Sequence, residues 1–275
     1  MDLIPEPAPN LRQLLAFYLE AGVDCALMDE PVDRLSEPES PTAPAPVREV
    51  APSPVKEMPA AMPAVPRSET APALEAAIAL ARDAARTAPT LDALRALLEK
   101  FEGCALRNTA TRLVFADSNP EARIMFVGEA PGRDEDIAGL PFVGRSGKLL
   151  DRMIAAIGLD RSKAYIANVI PWRPPGNRTP TPQETQICLP FIQRQIELVN
   201  PDVLVTLGNP STQTLLQTRE GIMRTRGKWL DYDTGTRTIR AMATFHPAYL
   251  LRSPSYKRMS WQDLRAIAKM LAHAQ

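Results

Sequence analysis

The feature that most constrains the fold is a regular alternation of apolar runs and helical patterns that begins after residue 120. The apolar runs are rich in β-branched residues and lie at 123–130, 163–170, 202–208 and 238–247. The helical patterns between them lie near 145–157, 182–199 and 210–217. Parallel strands need long crossover connections, so this alternation is typical of a parallel sheet with helices on both faces. The sequence therefore predicts an α/β fold with three layers, α/β/α, around a central four-stranded parallel sheet.

The chain before this region is organised differently. Eleven of the 28 prolines fall within residues 31–72, and such a stretch cannot form a packed core. We expect it to be an extended, disordered, Pro/Ala-rich linker. Ahead of it, four leucines and a tyrosine fall at helical spacing, which predicts an amphipathic helix within residues 1–30. Two further helices are predicted at about 73–87 and 90–101, so the main domain is expected to cover residues 73–275.

The charges are unevenly distributed although the formal net charge is zero. Residues 1–100 contain 9 Lys and Arg against 16 Asp and Glu, which leaves 23 against 16 for residues 101–275. A basic C-terminal part is compatible with a polyanionic ligand such as a nucleic acid.

The apolar runs and the cysteines indicate the compartment. No run approaches the roughly 18 residues that a membrane span needs, and the first residues, MDLIPEPAPN, do not resemble a signal peptide. The three cysteines, Cys25, Cys104 and Cys188, are too few and too far apart for a disulfide framework, and none forms a C-x-x-C pair. We therefore expect a soluble, cytoplasmic protein without a membrane partner.

Three of the four predicted strands end in unusual polar sequences. The first runs into GEAPGRDED at residues 128–136, and the second ends at Asn168 before WRPPGNR. The fourth ends at His246 and Pro247. Sites in parallel sheets form at the carboxyl ends of strands. These residues are therefore expected to converge on one crevice that holds carboxylates, an amide and an imidazole.

Five segments together carry a resemblance to a known family. They are GEAPGRDED, LPFVGRSGKLLDRM, YIANVIPWRPPGNRTPTPQE, DVLVTLG and FHPAYLLR. In order and spacing they resemble the family-4 uracil-DNA glycosylases, over about residues 101–270 of this chain. GEAPG alone is a weak signal, because Gly-rich strand ends also bind phosphates, but the set is specific.

The resemblance implies a monofunctional enzyme of base excision repair. Such an enzyme flips uracil out of DNA and hydrolyses the bond between base and deoxyribose with water, which leaves an abasic site. The alternative is a catalytically weak sensor that binds uracil-containing DNA, and a third reading is a strand-end enzyme that binds a nucleotide or a phosphorylated sugar. Relatives that trap DNA covalently carry an Arg/His-rich insertion between these two motifs, and this chain has none between GEAPGRDED and LPFVGR. The resemblance therefore implies water as the nucleophile.

The resemblance assigns several residues to uracil binding. Phe142 offers a ring on which uracil can stack, and Asn168 matches the asparagine that reads the base. The Asn168 amide accepts from N3–H and donates to O4, which suits uracil and mismatches cytosine. Ala130 and Pro131 bring the backbone close to the base. From the residues alone, a core aromatic and an asparagine that turns the chain are the competing interpretations of Phe142 and Asn168.

Three residues are candidates for catalysis: Glu129, Glu135 and His246. His246 is expected beside uracil O2, where it stabilises negative charge on the departing base. Glu129, also in the uracil pocket, is expected to stabilise an oxocarbenium-like sugar or to orient the attacking water, with Glu135 as its partner. The competing interpretation of Asp134, Glu135 and Asp136 is a solvated loop or a helix cap, which we favour for the two aspartates.

Two segments are predicted to contact DNA. The first opens a helix with small residues and backbone donors suited to a phosphate, and it consists of Gly144, Arg145, Ser146, Gly147 and Lys148. The second follows His246 and consists of Tyr249, Leu250, Leu251 and Arg252. An apolar tip there can wedge into the gap left by the flipped base, with Arg252 on a phosphate. The competing interpretation is that both leucines are buried.

The sequence departs from the family at the positions of its iron–sulfur ligands. The resemblance implies four cysteines, at positions that in this chain hold Phe101, Cys104, Trp172 and Cys188. Two thiolates do not hold such a cluster, which needs four protein ligands. We therefore expect no cofactor and no metal. Phe101 and Trp172 are expected to fill the vacated volume, with Cys104 and Cys188 close together as reduced thiols.

The expected partner is uracil-containing DNA, bound by a monomer. An isolated helix as short as the one predicted near the N-terminus is marginal in water. We expect that segment either to pack on the main domain or to dock a protein partner.

Overall fold

The computed structural model describes residues 70–273. The predicted helix segment of residues 1–30 and nearly all of the predicted linker, residues 31–72, lie outside the described residues. The strands, in chain order, are β1 Asp117–Ser118, β2 Ile124–Gly128, β3 Tyr165–Asn168, β4 Val203–Leu207, β5 Trp229–Asp233 and β6 Thr238–Thr244. They form one six-stranded sheet in the order β1–β3–β2–β4–β6–β5.

The four central strands run parallel, which confirms the predicted four-stranded parallel core of the sheet. β1 and β5 pair antiparallel at the two edges and extend the sheet to six strands. The sequence pattern does not predict these edge strands. β1 has only two residues, and β5, with the sequence WLDYD, is half exposed and carries two aspartates.

Helices cover both faces of the sheet. In chain order they are α1 Thr70–Thr87, α2 Leu91–Lys100, α3 Leu106–Thr109, α4 Arg133–Ala138, α5 Arg145–Ala155, α6 Pro182–Val199, α7 Asn209–Leu216, α8 Ile222–Thr225, α9 Pro247–Arg252 and α10 Lys257–His273. Single turns of 3-10 helix lie at 161–163, 175–177 and 254–256. The five helices that the sequence predicts after residue 72 correspond to α1, α2, α5, α6 and α7.

Local chemistry explains where the helices begin. α6 opens with a capping box, in which the Thr181 hydroxyl accepts from the Glu184 N–H and the Glu184 carboxylate accepts from the Thr181 N–H. Pro182 occupies the first helical position, where its missing N–H leaves no backbone bond unmade.

The core is divided by the sheet because successive strand residues point to opposite faces. Met125 and Val127 of β2 pack in the cluster that contains buried residues of α1, α2 and α6. Ile124 and Phe126 pack in the other cluster, with buried residues of α5 and α10. This alternation produces the three-layer α/β/α arrangement that the sequence predicts.

The parallel direction of the central strands places their carboxyl ends on one edge of the sheet. β2 ends at Gly128, β3 at Asn168 and β6 at Thr244, two residues before His246. The polar sequences that follow these strands therefore meet in one place. Within residues 70–273, no helix combines the length and the apolar character that crossing a bilayer requires.

Candidate active site

A cavity of about 390 Å³ lies at the carboxyl ends of β2, β3 and β6. It brings together all the residues that the sequence predicts for uracil binding and catalysis, and two of the residues that it predicts to contact DNA. These lining residues are Glu129, Ala130, Pro131, Glu135, Phe142, Asn168, His246, Ser146 and Arg252. The strand-end argument thus agrees with the structure for Glu129, Asn168 and His246, whereas Phe142, Ser146 and Arg252 are assigned by the resemblance.

Phe142 forms one wall of the cavity in an uncommon backbone conformation. Its φ is 55°, in the left-handed region that a bulky residue rarely adopts. Its ring lies 5.5 Å from the His246 ring, centre to centre, with 31° between the planes. Gly128 is required beside it, because a Cβ there would lie 2.6 Å from the Phe142 ring and 2.4 Å from Asn168 Oδ1.

Asn168 is the last residue of β3, and its side chain is buried. Its Oδ1 has no hydrogen-bond partner among the described residues. A buried, unpaired acceptor is unfavourable. Asn168 is one of the residues that line the cavity, so its unpaired amide oxygen favours a ligand there that can donate a hydrogen bond.

His246 precedes α9 and caps that helix. Its Nδ1 accepts from the Ala248 N–H at 3.1 Å, so the neutral ring carries its proton on Nε2. Burial lowers the pKa of His246 to about 4, and the positive charge of Arg252 acts in the same direction. At neutral pH the imidazole is therefore an uncharged donor.

The two candidate glutamates have different surroundings. Burial raises the pKa of Glu129, which is half-buried at the end of β2. Glu135 is buried, and its carboxylate accepts from the backbone N–H groups of Gly132 at 3.1 Å, Val143 at 3.0 Å and Gly144 at 2.9 Å. Both carboxylate oxygens of Glu135 thus accept hydrogen bonds from backbone N–H groups, and these bonds join the loop after β2 to the loop before α5.

The neighbouring aspartates do not enter the cavity lining. Asp136 is buried and accepts from the Thr111 N–H at 2.8 Å, the Thr111 hydroxyl at 2.9 Å and the Arg112 N–H at 3.2 Å. Asp134 is exposed in the first turn of α4. The structure thus gives Asp136 a structural role, in a buried site and not in a solvated loop.

The residues predicted to contact DNA separate into exposed and buried members. Arg145, Lys148 and Arg252 are exposed, Arg252 also lines the cavity, and Leu251 is 38% exposed. Leu250 is 1% exposed and packs in the core, so Leu251 is the apolar tip available to a wedge.

The remaining members of these two segments are engaged within the protein. The Gly144 N–H is used by Glu135. Gly147 is buried, and a Cβ there would lie 1.6 Å from the Phe142 carbonyl oxygen. Tyr249 stacks on Phe245 at 5.3 Å. Ser146 keeps a place in the cavity wall.

A further wall of the cavity comes from residues that the sequence argument does not assign. They follow Trp172 in the loop before α6, and they are Pro174, Asn177, Arg178, Thr179 and Pro180. The glycine and prolines of PPGNRTP indicate a rigid loop there, but nothing in the segment indicates that it folds over the strand ends.

The four positions that hold cluster ligands in the family that the sequence resembles all lie in one hydrophobic core cluster. Phe101, Cys104, Trp172 and Cys188 are all at most 6% exposed. The two sulfur atoms lie 3.9 Å apart, which confirms that Cys104 and Cys188 are neighbours. The Phe101 ring meets the Phe191 ring edge-on at 4.9 Å.

These residues do not fit an iron–sulfur cluster. Such a cluster needs four protein ligands, and two of the four positions here hold aromatic rings. The part of the chain that the structure describes holds no group of three or more His, Cys, Asp or Glu placed to bind a metal ion.

The parallel sheet and its strand-end cavity define an α/β protein whose cavity is lined by an aromatic ring, an amide and an imidazole. The model of the uracil DNA glycosylase superfamily matches residues 115–265. The chain belongs to this superfamily.

Curated relatives are similar over most of their length. The type-4 uracil-DNA glycosylase of Archaeoglobus fulgidus is 40% identical over 176 residues, which cover 62% of this chain and 88% of that protein. The type-4 enzyme of Thermotoga maritima is 43% identical over 170 residues, covering 61% and 87%. That of Saccharolobus solfataricus is 38% identical over 187 residues, covering 66% and 87%.

Proposed function

We propose that this chain is a monofunctional uracil-DNA glycosylase, which flips uracil out of DNA and hydrolyses its N-glycosidic bond to leave an abasic site for base excision repair. The observation that carries the proposal is a cavity lined by Asn168, Phe142 and His246, in which the buried Oδ1 of Asn168 has no hydrogen-bond partner among the described residues. The relatives named type-4 uracil-DNA glycosylase support it.

We assign the selection of the base to Asn168 and Phe142. The Asn168 Oδ1 accepts from uracil N3–H, and its Nδ2 donates to O4, whereas cytosine presents an acceptor and a donor at these positions. Phe142 offers its ring face to the base. A pocket built on hydrogen bonds rejects an unmatched base strongly because a buried polar group is then left unpaired.

Bond cleavage places negative charge on the departing base, and His246 is suited to receive it. When the bond between C1′ and N1 breaks, the electron pair moves onto uracil and is shared with O2. The Nε2–H of the neutral His246 donates to O2, and this interaction strengthens as charge develops. Ala130 adds a backbone N–H in the same wall, whereas Pro131 has none and contributes shape alone.

Water completes the reaction, and Glu129 is the residue we assign to it. The Glu129 carboxylate orients the water, whose oxygen bonds to C1′ while its proton passes to the carboxylate. The same negative charge stabilises the oxocarbenium-like sugar. Glu135 acts with Glu129 by holding the loop that carries it, through the bonds to Gly132, Val143 and Gly144.

DNA contact is assigned to the exposed residues around the cavity. Arg145, Lys148 and Arg252 are placed to neutralise phosphates, and Leu251 to occupy the gap left by the flipped base. We propose that the enzyme acts on DNA as a monomer in the cytoplasm, and that residues 1–30 serve a protein partner or pack on the main domain.

We also propose that the enzyme works without an iron–sulfur cluster. Phe101 and Trp172 occupy two of the four positions that hold cluster ligands in the family that the sequence resembles. Hydrolysis by the residues above needs water alone, and no step passes through a metal.

The test is a release assay on an oligonucleotide with one uracil, followed by cleavage at the abasic site. The wild-type protein should release uracil, and Asn168→Asp should slow release by a factor on the order of 10²–10⁵, because the substituted side chain lacks the donor to O4. Tight binding of uracil-containing DNA without release would instead favour the damage sensor. If the protein neither binds uracil-containing DNA nor releases uracil, both functions are contradicted.

A further inference from the structure

The backbone of Phe142 is held in a conformation that the residue does not favour. A bulky side chain with a φ of 55° persists only where surrounding contacts hold it. Phe142 is 5% exposed and lies against the cavity, so its loop shapes the surface that a base would meet. The contacts that hold this loop therefore control where the ring lies.

Arg161 is the main contact on one side of the loop, although it does not line the cavity. It lies in the single turn before β3, and its Nη2 donates to the Phe142 carbonyl oxygen. Its Nη1 donates to the Pro141 carbonyl oxygen at 3.2 Å.

Two carboxylates fix the guanidinium in turn. Nε of Arg161 donates to Asp151 of α5 at 2.7 Å, and Nη1 pairs with Asp117 of β1. The Arg161 side chain is 25% exposed, so most of it is shielded from water. Two other elements of the fold thus hold the guanidinium that binds the loop.

Glu135 holds the same loop from the other side. It accepts from the N–H groups of Val143 and Gly144, which directly follow Phe142. The carbonyl groups of Pro141 and Phe142 therefore bind Arg161, while the N–H groups of Val143 and Gly144 bind Glu135. With both sides engaged, the backbone at Phe142 is not free to rotate.

We propose that Arg161 is a positioning residue of the glycosylase reaction, which fixes the ring of Phe142 as a ready surface for the flipped uracil. The proposal rests on the function proposed above, in which uracil stacks on Phe142. Arg161 acts through the backbone of Phe142 and touches neither the base nor the sugar.

Arginine is needed for this role because its planar fork donates in several fixed directions at once. A lysine keeps the charge, but its ammonium is a compact donor that cannot bind two carbonyl groups and two carboxylates in this arrangement. Arg161→Lys is therefore the informative variant, since it preserves charge while it releases the loop.

The experiment is a double-mutant cycle between Arg161→Lys and Phe142→Leu, which removes the ring but keeps an apolar side chain. Single-turnover release from DNA and binding of free uracil by calorimetry are measured for both single variants and the double variant. Arg123→Lys is the matched control, because Arg123 pairs with Asp202 at 2.6 Å, at the start of β2 and away from the cavity.

We expect Arg161→Lys to slow release and to weaken uracil binding, each by about tenfold to a hundredfold, as expected for a displaced reacting group. In the Phe142→Leu background the same change should have less than about a twofold effect, because the two residues act as one unit. Arg123→Lys should change neither quantity.

Two results would overturn the proposal. One is a double variant whose loss equals the product of the two single losses. The other is an Arg161→Lys protein that lowers only the melting temperature, as Arg123→Lys does, with both quantities intact. If the wild-type protein releases no uracil, the proposed function fails, and the cycle is then decided on uracil binding alone.

Discussion

Burial moves both His246 and Glu129 toward their uncharged forms, but only the role proposed for His246 suits an uncharged group. The pKa of His246 falls to about 4, so the imidazole is neutral throughout the physiological range. The pKa of Glu129 rises, which extends the protonated form of that carboxyl to higher pH. In the proposed mechanism Glu129 orients water as an ionised carboxylate, so this carboxyl should set the lower pH limit of activity.

This arrangement predicts the pH profile of single-turnover uracil release. The rate should increase with pH through the raised pKa of Glu129, above 4.5, and then remain level to about pH 8. Glu129→Gln should lower the level rate by roughly 10²–10³ and remove this rise, so that the profile is flat down to about pH 5. The measurement is the rate from pH 4.5 to 8.5 at constant ionic strength.

The variant also shows which residue titrates. His246, with a pKa of about 4, is still partly protonated at pH 4.5 but almost fully neutral above about pH 5.5, so it does not account for a rise above that pH. A rise that persists unchanged in Glu129→Gln would belong to another group, and it would contradict the role given to Glu129.

Individual residues differ in how far the sequence predicts them. Asn168 and His246 are predictable because Asn168 ends a strand and His246 closely follows one, and strand ends meet in a parallel sheet. The difference between Leu250 and Leu251 is not, since adjacent helical residues point in different directions and the sequence does not show which faces the core. The hydrogen bonds of Glu135 to Val143 and Gly144 are not predictable either, because only folding brings that loop to the carboxylate.

At the scale of elements, aromatic packing joins α2, α6 and the loop after β3. Phe101 ends α2 and packs on Phe191 of α6, while Trp172 follows β3 and is 2% exposed. Cys188 of α6 contacts Cys104 at the same place. These contacts connect elements that lie far apart along the chain.

If this packing replaces a metal cluster that would otherwise join the elements, removing the Trp172 indole should lower the free energy of unfolding substantially. Trp172→Ala should destabilise the protein by about 3–5 kcal/mol, the range found when a buried aromatic site is emptied. Urea unfolding measures the change, and the purified wild-type protein should contain less than about 0.1 iron per chain.

Trp261 supplies the control for this prediction. It is 42% exposed, so Trp261→Ala should change the free energy of unfolding by less than about 1 kcal/mol. A loss of under about 1 kcal/mol in Trp172→Ala, or stoichiometric iron, would show that packing does not replace the cluster.

Elements with strong periodicity are the ones that the sequence predicts. α6 begins and ends where its pattern does, because Thr181, Pro182 and Glu184 mark its start in the sequence itself. The edge strand β5 is not predictable from WLDYD. Its pairing depends on β6, and an edge position tolerates the charges that a central strand would exclude.

At the scale of the whole molecule, every residue of the proposed site lies after residue 100. α1 begins at Thr70 and supplies Ala81 and Ala85 to the core. The boundary that matters for activity is therefore the start of α1.

Deleting residues 1–69 should leave uracil release within about twofold of the wild-type rate, because removing a terminal segment that contributes no site residue has little effect. Release from a uracil-containing oligonucleotide by the truncated and full chains is the measurement. Deleting residues 1–87 serves as the control. It removes α1 and should lower the melting temperature, since buried alanines are lost from the core.

A truncated protein that keeps its melting temperature but loses activity would place part of the N-terminal segment in the site. The division into a main domain and a dispensable N-terminal part would then be wrong.

The two antiparallel edge strands also affect how the protein behaves at high concentration. An exposed strand edge can recruit a strand from another molecule, and natural proteins prevent this with short edges and charged side chains. β1 has only two residues, and β5 exposes Asp231 and Asp233. Asp231 is further paired with Arg240 of the neighbouring strand. Neither edge is a favourable template for strand addition, so a partly unfolded neighbour finds little to join and the sheet resists growth into aggregates.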